Sequence, residues 1–454
     1  MAEYINAFPG YEYKWVDGIT ERKQNMYRGV NLGFGGYVYY EEGIYTDVAL
    51  LDVQSLHPHS IISMNKFGKY TQRYEEILKA RIAIKNHDYE TAGKMLGGAF
   101  KKYLTSDEEA DKLAAAAKLI LNSTYGFCSA TFENPFLDSR DTNNIVACKG
   151  ALFMKTLQDE VQKRGFTVAH IKTDSIKVPN ATREIVEFIK DFAKPYGYDF
   201  DFEGIYDRMC LVNGSTYIAK YASPERCMEL HGLVPKENKK HPGQWTATAK
   251  QFQIPYVFKT LFSKEPIDFK DLCEVKEVKT AIYIDMNEGL TEGEHDYHFI
   301  GKVGNFCPIK PGRGGGVLVK SKKNDDEKYD SVTGTLKPDK TPYRWLEAEA
   351  VKILGKEDDI DKSYYRKLVD DAVDAISQYG DFERFVADEP YSPQVLPDFP
   401  PDEDLPYYIG PELEEALERI RREAERPPWC TEEEWEAMKL AEEQEKIGDT
   451  FNKR

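Results

Sequence analysis

The chain has 454 residues, 41% of them hydrophobic and 31% charged, and a formal net charge of −17. That is enough apolar material for a sizeable core and about three globular parts. No apolar run approaches the roughly 18 residues that span a bilayer, and the N-terminus lacks a signal-peptide pattern, so a cytoplasmic protein without a membrane partner is expected. The seven cysteines include no Cys-x-x-Cys pair, which argues against a zinc or iron–sulfur site and for reduced thiols.

In chain order, the first informative string is Asp52-Val53-Gln54-Ser55-Leu56-His57-Pro58, entered through the apolar run Val48-Ala49-Leu50-Leu51. It reads as a buried strand that delivers a carboxylate to its end. Lys79 to Lys85 follows, with Arg81 and Lys85 one helical turn apart and Leu78, Ile82 and Ile84 available for packing. A second helix is expected over Asp111-Lys112-Leu113-Ala114-Ala115-Ala116-Ala117 and onward to Gly126. On it Lys118, Asn122 and Tyr125 fall at i, i+4 and i+7 and share one face. Two antiparallel helices would aim Arg81, Lys85 and Lys118 at one triphosphate, with an amide and an aromatic ring beside it.

Next, Phe166 to Ala169 leads into His170-Ile171-Lys172-Thr173-Asp174-Ser175. This reads as a strand entering a hairpin whose tip presents Asp174 opposite the end of the strand carrying Asp52. Two carboxylates converging there repel by about 4 kcal/mol at about 4 Å with an effective dielectric near 20, so they call for a cation. Oxygen ligands without neighbouring His or Cys favour Mg2+, with Mn2+ as the alternative.

Residues 223–387 read as helical near 247–263 and 268–288, with a cationic Gly-rich stretch at 300–344 holding 10 basic and 5 acidic residues. There Lys302, Lys310, Arg313, Lys320, Lys322 and Lys323 would suit a duplex backbone, and a flexible β-hairpin loop is equally consistent. A helix at 363–379 stacks Leu368, Val369, Ala372, Val373 and Ile376 into a core-facing stripe. Residues 388–454 carry 20 acidic against 8 basic residues, net −12, whereas residues 1–387 carry 58 against 53, net −5. The acidity is therefore mostly a tail: a Pro-rich linker from Pro390 to Pro401, then charged helical stretches at 412–426 and 431–446, with Thr431 as N-cap. It is expected either to be solvated or to dock a basic partner protein.

These strings together resemble the polymerase part of a family B DNA polymerase, most similar to bacteriophage members. Residues 52–58 resemble the family's Asp-x-x-Ser-Leu-Tyr-Pro motif. Residues 118–126 match Lys-x-x-x-Asn-Ser-x-Tyr-Gly at each fixed position, and residues 172–175 resemble Asp-Thr-Asp-Ser. Arg81 and Lys85 resemble the fingers motif Arg-x-x-x-Lys, and Gly33-Phe34-Gly35-Gly36 resembles Tyr-x-Gly-Gly with Gly33 in place of the tyrosine. The resemblance covers roughly residues 30–222.

The resemblance implies an α+β right-hand polymerase. Its palm, an antiparallel sheet plus helices, would comprise residues 1–65 and 126–222; the helical fingers hairpin would be 66–125. A thumb with an appended subdomain would be 223–387, and the acidic extension 388–454. It further implies two-metal nucleotidyl transfer from dNTPs onto the 3′-hydroxyl of a primer–template DNA. Asp52, the Val53 carbonyl and Asp174 would hold two Mg2+ ions about 3.5 to 4 Å apart. Ser55, Leu56, His57, Arg81, Lys85, Lys118, Asn122 and Tyr125 would take the nucleotide. Gly35, Gly36, Gly126, Thr173, Tyr217, Lys220 and Tyr221 would meet DNA, and Glu203 would be a further palm carboxylate.

Three positions depart from the family pattern. His57 stands where a tyrosine excludes the ribose 2′-hydroxyl, Lys172 replaces the first Asp of Asp-Thr-Asp-Ser, and Ser215-Thr216-Tyr217 replaces Lys-x-Tyr, with Lys220-Tyr221 as a substitute. Only 51 residues precede Asp52, so proofreading is expected to be absent or to come from a separate exonuclease. The Asp201-Phe202-Glu203 triplet mimics an exonuclease Asp-x-Glu but lies inside the palm pattern. The 65 residues between Asp52 and Lys118 and the 55 between Lys118 and Asp174 leave no room for the insertions of protein-primed relatives. The alternatives are a ribonucleotide-tolerant, primer-making polymerase, suggested by His57, and a non-catalytic polymerase-like scaffold, suggested by Lys172.

Overall fold

A strand with apolar residues on both faces needs cover on both sides, and Val48-Ala49-Leu50-Leu51 is built that way. In the computed structural model, which describes residues 11–15, 23–33, 35–128, 130, 132–134, 136, 145–287, 295–322, 327–329, 332, 337, 341–389 and 391, these residues lie in the central strand β5 (Gly43–Val53). Three short strands precede it as a separate antiparallel sheet: β1 (Tyr11–Trp15), β2 (Lys23–Tyr27) and β3 (Val30–Asn31). β4 (Val38–Tyr40) and β5 then enter a seven-stranded sheet with β6 (His170–Lys172), β7 (Ser175–Val178), β8 (Phe200–Asn213), β9 (Thr216–Tyr221) and β10 (Trp245–Ala247). The order is β10-β9-β8-β5-β7-β6-β4, and every pairing is antiparallel.

The period of two divides this sheet into unlike faces. Ala49, Leu51 and Val53, with Ile171, Ile176 and Val178, pack against Phe153, Met154, Leu157 and Val161 of one helix (Ile145–Lys163) and Ile185 and Ile189 of another (Arg183–Ala193). Leu50 and Asp52 point to the other face. There Leu50 pairs with Lys177 and Asp52 with Ser175, and Lys177 in turn pairs with His170. One face is a hydrophobic floor. The other carries a smaller apolar cluster around Val48, Leu50 and Tyr206 together with Asp52 and Lys177.

After β5 the chain forms α1 (Leu56–Ser63), α2 (Thr71–Lys85), α3 (Tyr89–Lys94) and α4 (Asp107–Cys128). Tyr74 and Leu78 of α2 pack with Leu121 and Cys128 of α4, while Ala83 and Ile84 pack with Ala110 and Ala114. Early residues of one helix therefore meet late residues of the other, and the pair runs antiparallel as expected.

A second, five-stranded antiparallel sheet, ordered β14-β13-β11-β12-β15, occupies much of 274–347. Its strands are β11 (Glu274–Asp285), β12 (Tyr297–Ile309), β13 (Val317–Ser321), β14 (Lys328–Tyr329) and β15 (Arg344–Glu347). This corrects the helix expected over 268–288. Val275, Val278 and Ile282 fit a helical spacing, but Val275 is 60% exposed and the run Thr280-Ala281-Ile282-Tyr283-Ile284 is a β-branched and aromatic strand signal. The region read as a helical thumb is thus built largely on a sheet, around Ile282, Phe306, Trp345 and Tyr365. The expected helix near 363–379 runs from Lys362 to Ser377, with Ala372 and Ile376 buried and Leu368, Val369 and Val373 packed against the same core.

The architecture is a mixed α+β one, and among the described residues no helix is long and apolar enough to cross a membrane. Phe34, Lys323, Pro390 and residues 392–454, including the acidic tail, lie outside the described residues.

Candidate active site

Asp52 ends β5, and Asp174 sits in the two-residue turn joining β6 to β7, where Lys172 pairs with Ser175. The two elements are joined directly: the Val53 amide donates to the Asp174 carbonyl at 2.8 Å. Each carboxylate is followed or preceded by a strained residue. Ser55 has φ 53° and Thr173 φ 59°, a region that costs a β-branched residue free energy and persists only where its surroundings impose it. For Thr173 the constraint is visible, since its amide donates to the Tyr37 carbonyl at 2.9 Å and its side chain abuts Gly36. A Cβ on Gly36 would fall 2.9 Å from the Thr173 side chain, and Gly36 itself has φ +130°. The Gly35-Gly36 string and the Asp174 turn therefore form one packed unit.

Glu203 reaches the site through an irregularity of the sheet. Leu50 pairs with Gly204 and Leu51 with Phe202, leaving Glu203 as an extra residue in β8. Such a bulge re-aims side chains. Asp52 pairs with Asp201, whose carboxylate accepts a hydrogen bond from the Gln54 amide.

A cavity of about 590 Å³ collects these groups. Asp52, Val53, Ser55, Leu56 and His57 line it from β5 and α1, Asp174 and Glu203 from the sheet, Arg81 and Lys85 from α2, and Lys118 and Asn122 from α4. Of the nucleotide set, Tyr125 is the one held back: its ring stacks flat on His57, centroids 4.0 Å apart and planes 2° from parallel. The His57 Nδ1 atom is buried without a hydrogen-bond partner, and burial lowers its pKa to about 4, so the ring is neutral.

The electrostatics are lopsided. Burial, then the charges of Asp174 and Glu203, push the Asp52 carboxyl up to about 8, with Lys177 opposing and Asp201 adding to the rise. Asp174 is raised by burial, with its backbone hydrogen bond and Lys177 opposing. Glu203 is raised by burial, then Asp201, Glu237 and Asp174, with Lys85 opposing. A cation between Asp52 and Asp174 would relieve this repulsion, and the all-oxygen donor set suits a hard divalent ion. The fit is that of two carboxylates: among the described residues no three His, Cys, Asp or Glu side chains form a metal-binding group.

Lys177, Gln54, Asp201, Lys236 and Glu237 belong to the site although the motifs do not name them. Lys177 is the most informative. It is 3% exposed, donates from Nζ to His170 Nδ1 at 3.1 Å and lies 4.9 Å from the centre of the Tyr217 ring. His170 Nδ1 is thereby the acceptor, so Nε2 carries the proton and donates to the Gly214 carbonyl at 3.1 Å. Burial lowers Lys177 to about 8, against the pull of Asp52. The signal was in Ser175-Ile176-Lys177-Val178: alternation puts 175 and 177 on the face of Asp52. Lys172, by contrast, is exposed.

The expected DNA contacts are placed differently from one another. Tyr217 and Tyr221 lie on one face of β9, packed with Tyr206. Lys220 points the other way, with Nζ 3.3 Å from Asp388 and 5.6 Å from the centre of the Trp245 ring. The strand period therefore separates Lys220 from the tyrosines it was grouped with. Gly126 is exposed in the last turn of α4.

No protein-family model and no curated protein matches the chain. Among solved structures, the family B DNA polymerase from the hyperthermophilic archaeon Pyrobaculum calidifontis is similar with a TM-score of 0.38 and 11% identity, over 83% of this chain and 49% of that one. The chain thus spans about half the length of that polymerase. At this level the likeness decides neither fold nor activity.

Proposed function

We propose that the protein is a template-directed DNA polymerase, of the kind bacteriophages encode, that extends a primer 3′-hydroxyl with dNTPs. One observation carries the reading: Asp52 from the end of β5 and Asp174 from the β6–β7 turn share a single cavity with Arg81, Lys85, Lys118 and Asn122 from two antiparallel helices. Carboxylates on one wall and three cations on the other suit a polyphosphate bound through divalent ions.

Asp52, Asp174 and the Val53 carbonyl are the groups that would hold two Mg2+ ions. Bound there, the ions supply acidification of the primer hydroxyl and charge neutralisation of the departing pyrophosphate. The chain's own residues then do the rest. Arg81, Lys85 and Lys118 bind and orient the triphosphate and stabilise charge spreading over its oxygens. Asn122 borders the nascent pair, and the His57–Tyr125 stack forms the wall beside the sugar. Lys177 sits under the carboxylates as a fixed counter-charge. Primer–template DNA is the partner this reading requires. The acidic tail is the place for a further replication partner, such as a separate exonuclease.

The test is primer extension by the purified chain on a defined template, with and without Mg2+. Template-directed, Mg2+-dependent addition of dNTPs is expected. A chain that binds dNTPs and DNA but adds no nucleotide would be a scaffold instead. A second reading, tolerance of ribonucleotides, is favoured by His57, whose imidazole lines the cavity and is a smaller barrier to a sugar hydroxyl than a tyrosine ring.

A further inference from the structure

Outside the cavity, two thiols meet in the core of the second sheet. Glu274 of β11 pairs with Phe306 of β12, so one step further along the same antiparallel register Cys273 faces Cys307. Both are buried, at 9% and 0% exposure, and their sulfurs are 3.4 Å apart. Cys273 has extended backbone, φ −120° and ψ 138°, where the short helix Phe269–Leu272 ends. Directly opposed residues on neighbouring antiparallel strands have the Cα separation that a disulfide needs, and the sulfurs are already in contact. They are 34 positions apart in the chain, a separation that no spacing rule flags.

We propose that Cys273 and Cys307 are an oxidisable dithiol, a modification site that closes to a disulfide on exposure to a peroxide and fixes β11 against β12. The two partners are chemically unequal. The Cys307 thiol directed at the Cys273 sulfur, helped by the nearby Lys352 ammonium, holds Cys273 below the ordinary thiol range, while Cys307 is raised by that same contact and by burial. Cys273 is also the more exposed of the two, which makes it the nucleophile. Its thiolate attacks one peroxide oxygen, the O–O bond breaks, and hydroxide leaves a sulfenic acid. The Cys307 sulfur then attacks the Cys273 sulfur, the S–O bond breaks, and the departing hydroxide takes up the thiol proton as water. Two thiols and one hydrogen peroxide become one disulfide and two waters.

The consequence is local. β11 and β12 pair with register shifts between Glu277 and Ile282 and between Ile282 and Tyr283, so a covalent tie at their base pins a hairpin whose own pairing is irregular. The test uses the full chain treated with hydrogen peroxide, alkylated with N-ethylmaleimide in denaturant and read by mass spectrometry. The expected product is two hydrogens lighter, takes up two fewer maleimides, and yields a cross-linked pair of peptides containing Cys273 and Cys307 that dithiothreitol separates. Cys273→Ser and Cys307→Ser should each lack the cross-link, and Cys128→Ser should retain it. Sulfinic acid at Cys273 without a cross-link, a bridge from Cys273 to another cysteine, or full alkylation of both thiols would overturn the proposal.

Discussion

The imidazole of His57 lies flat against the phenol ring of Tyr125, with centroids 4.0 Å apart and planes 2° from parallel. Stacking fixes both rings, while burial keeps the imidazole uncharged and leaves Nδ1 without a partner. The smaller imidazole is a weaker steric barrier to a 2′-hydroxyl than a tyrosine ring, and a difference of about 1 kcal/mol in that exclusion changes the discrimination several-fold. His57→Tyr is therefore expected to raise the ratio of kcat/KM for dNTP over NTP several-fold, and His57→Ala to lower it. If steady-state assays with matched dNTP and NTP move the ratio by less than about two-fold in both variants, His57 serves only the stack.

Asp52 gives a prediction about stability. Its carboxyl is held near 8 in the folded chain against an ordinary value of 3.8. A raised folded value means that the folded state holds the proton more tightly. This contribution is fully present below about pH 4 and is lost as pH rises through about 8. Without divalent ions, Asp52→Asn should accordingly have a higher Tm than the parent at pH 8.5 or so, and little advantage near pH 4. Added Mg2+ should narrow the gap by stabilising the parent alone. Melting curves at two pH values, with and without Mg2+, check the sign.

Lys177 should act through its charge. Replacing it with methionine keeps the bulk but removes the one cation that opposes protonation of both Asp52 and Asp174. The alkaline-going limb of the kcat/KM profile is then expected to shift upward by about one pH unit, since one unit is about 1.4 kcal/mol of differential interaction. An unshifted profile with reduced kcat at each pH would assign Lys177 a packing role against His170 and Tyr217 alone.

Arg81 and Lys118 reach the cavity from different helices. A charge-assisted hydrogen bond contributes about 1.5 to 3 kcal/mol, so truncating either to alanine should lower kcat/KM for dNTP by roughly 10- to 100-fold, mostly through KM. Lys220→Ala, which faces Asp388 and Trp245, should leave KM for dNTP unchanged. Equal effects at all three positions would mean that the cavity does not single out the triphosphate.

Much of the cavity was legible in the sequence because local periodicity determines which side chains share a face. The continuous apolar run Val48–Leu51 marks the buried strand that ends near Asp52, spacings of four residues put Arg81 with Lys85 and Lys118 with Asn122, and the cavity gathers them. Burying a lysine is costly, so nothing local marks Lys177 as interior. Only the pairing of β7 with β5 and β6 brings it beneath Asp52 and beside His170. Lys220 falls on the far side for the complementary reason: neighbours in β9, such as Lys220 and Tyr221, face opposite ways. The strand at 274–285 was hidden by apolar residues compatible with both periods, and its sheet partners decided between them. The bulge that frees Glu203 is likewise a property of the β5–β8 pairing, invisible in either strand alone.

The central claim is that Asp52 and Asp174 act together as the carboxylates of nucleotidyl transfer. Asparagine at either position keeps size and hydrogen-bonding capacity while removing the charge. The decisive measurement is single-turnover primer extension at saturating dNTP and Mg2+ by the parent, Asp52→Asn and Asp174→Asn, with circular dichroism confirming the fold of each. Loss of about 4 kcal/mol of transition-state stabilisation lowers the rate about a thousandfold, and that is the fall expected in both variants. Retention of more than about a tenth of the parental rate by either one, an effect below about 1.4 kcal/mol, would contradict it.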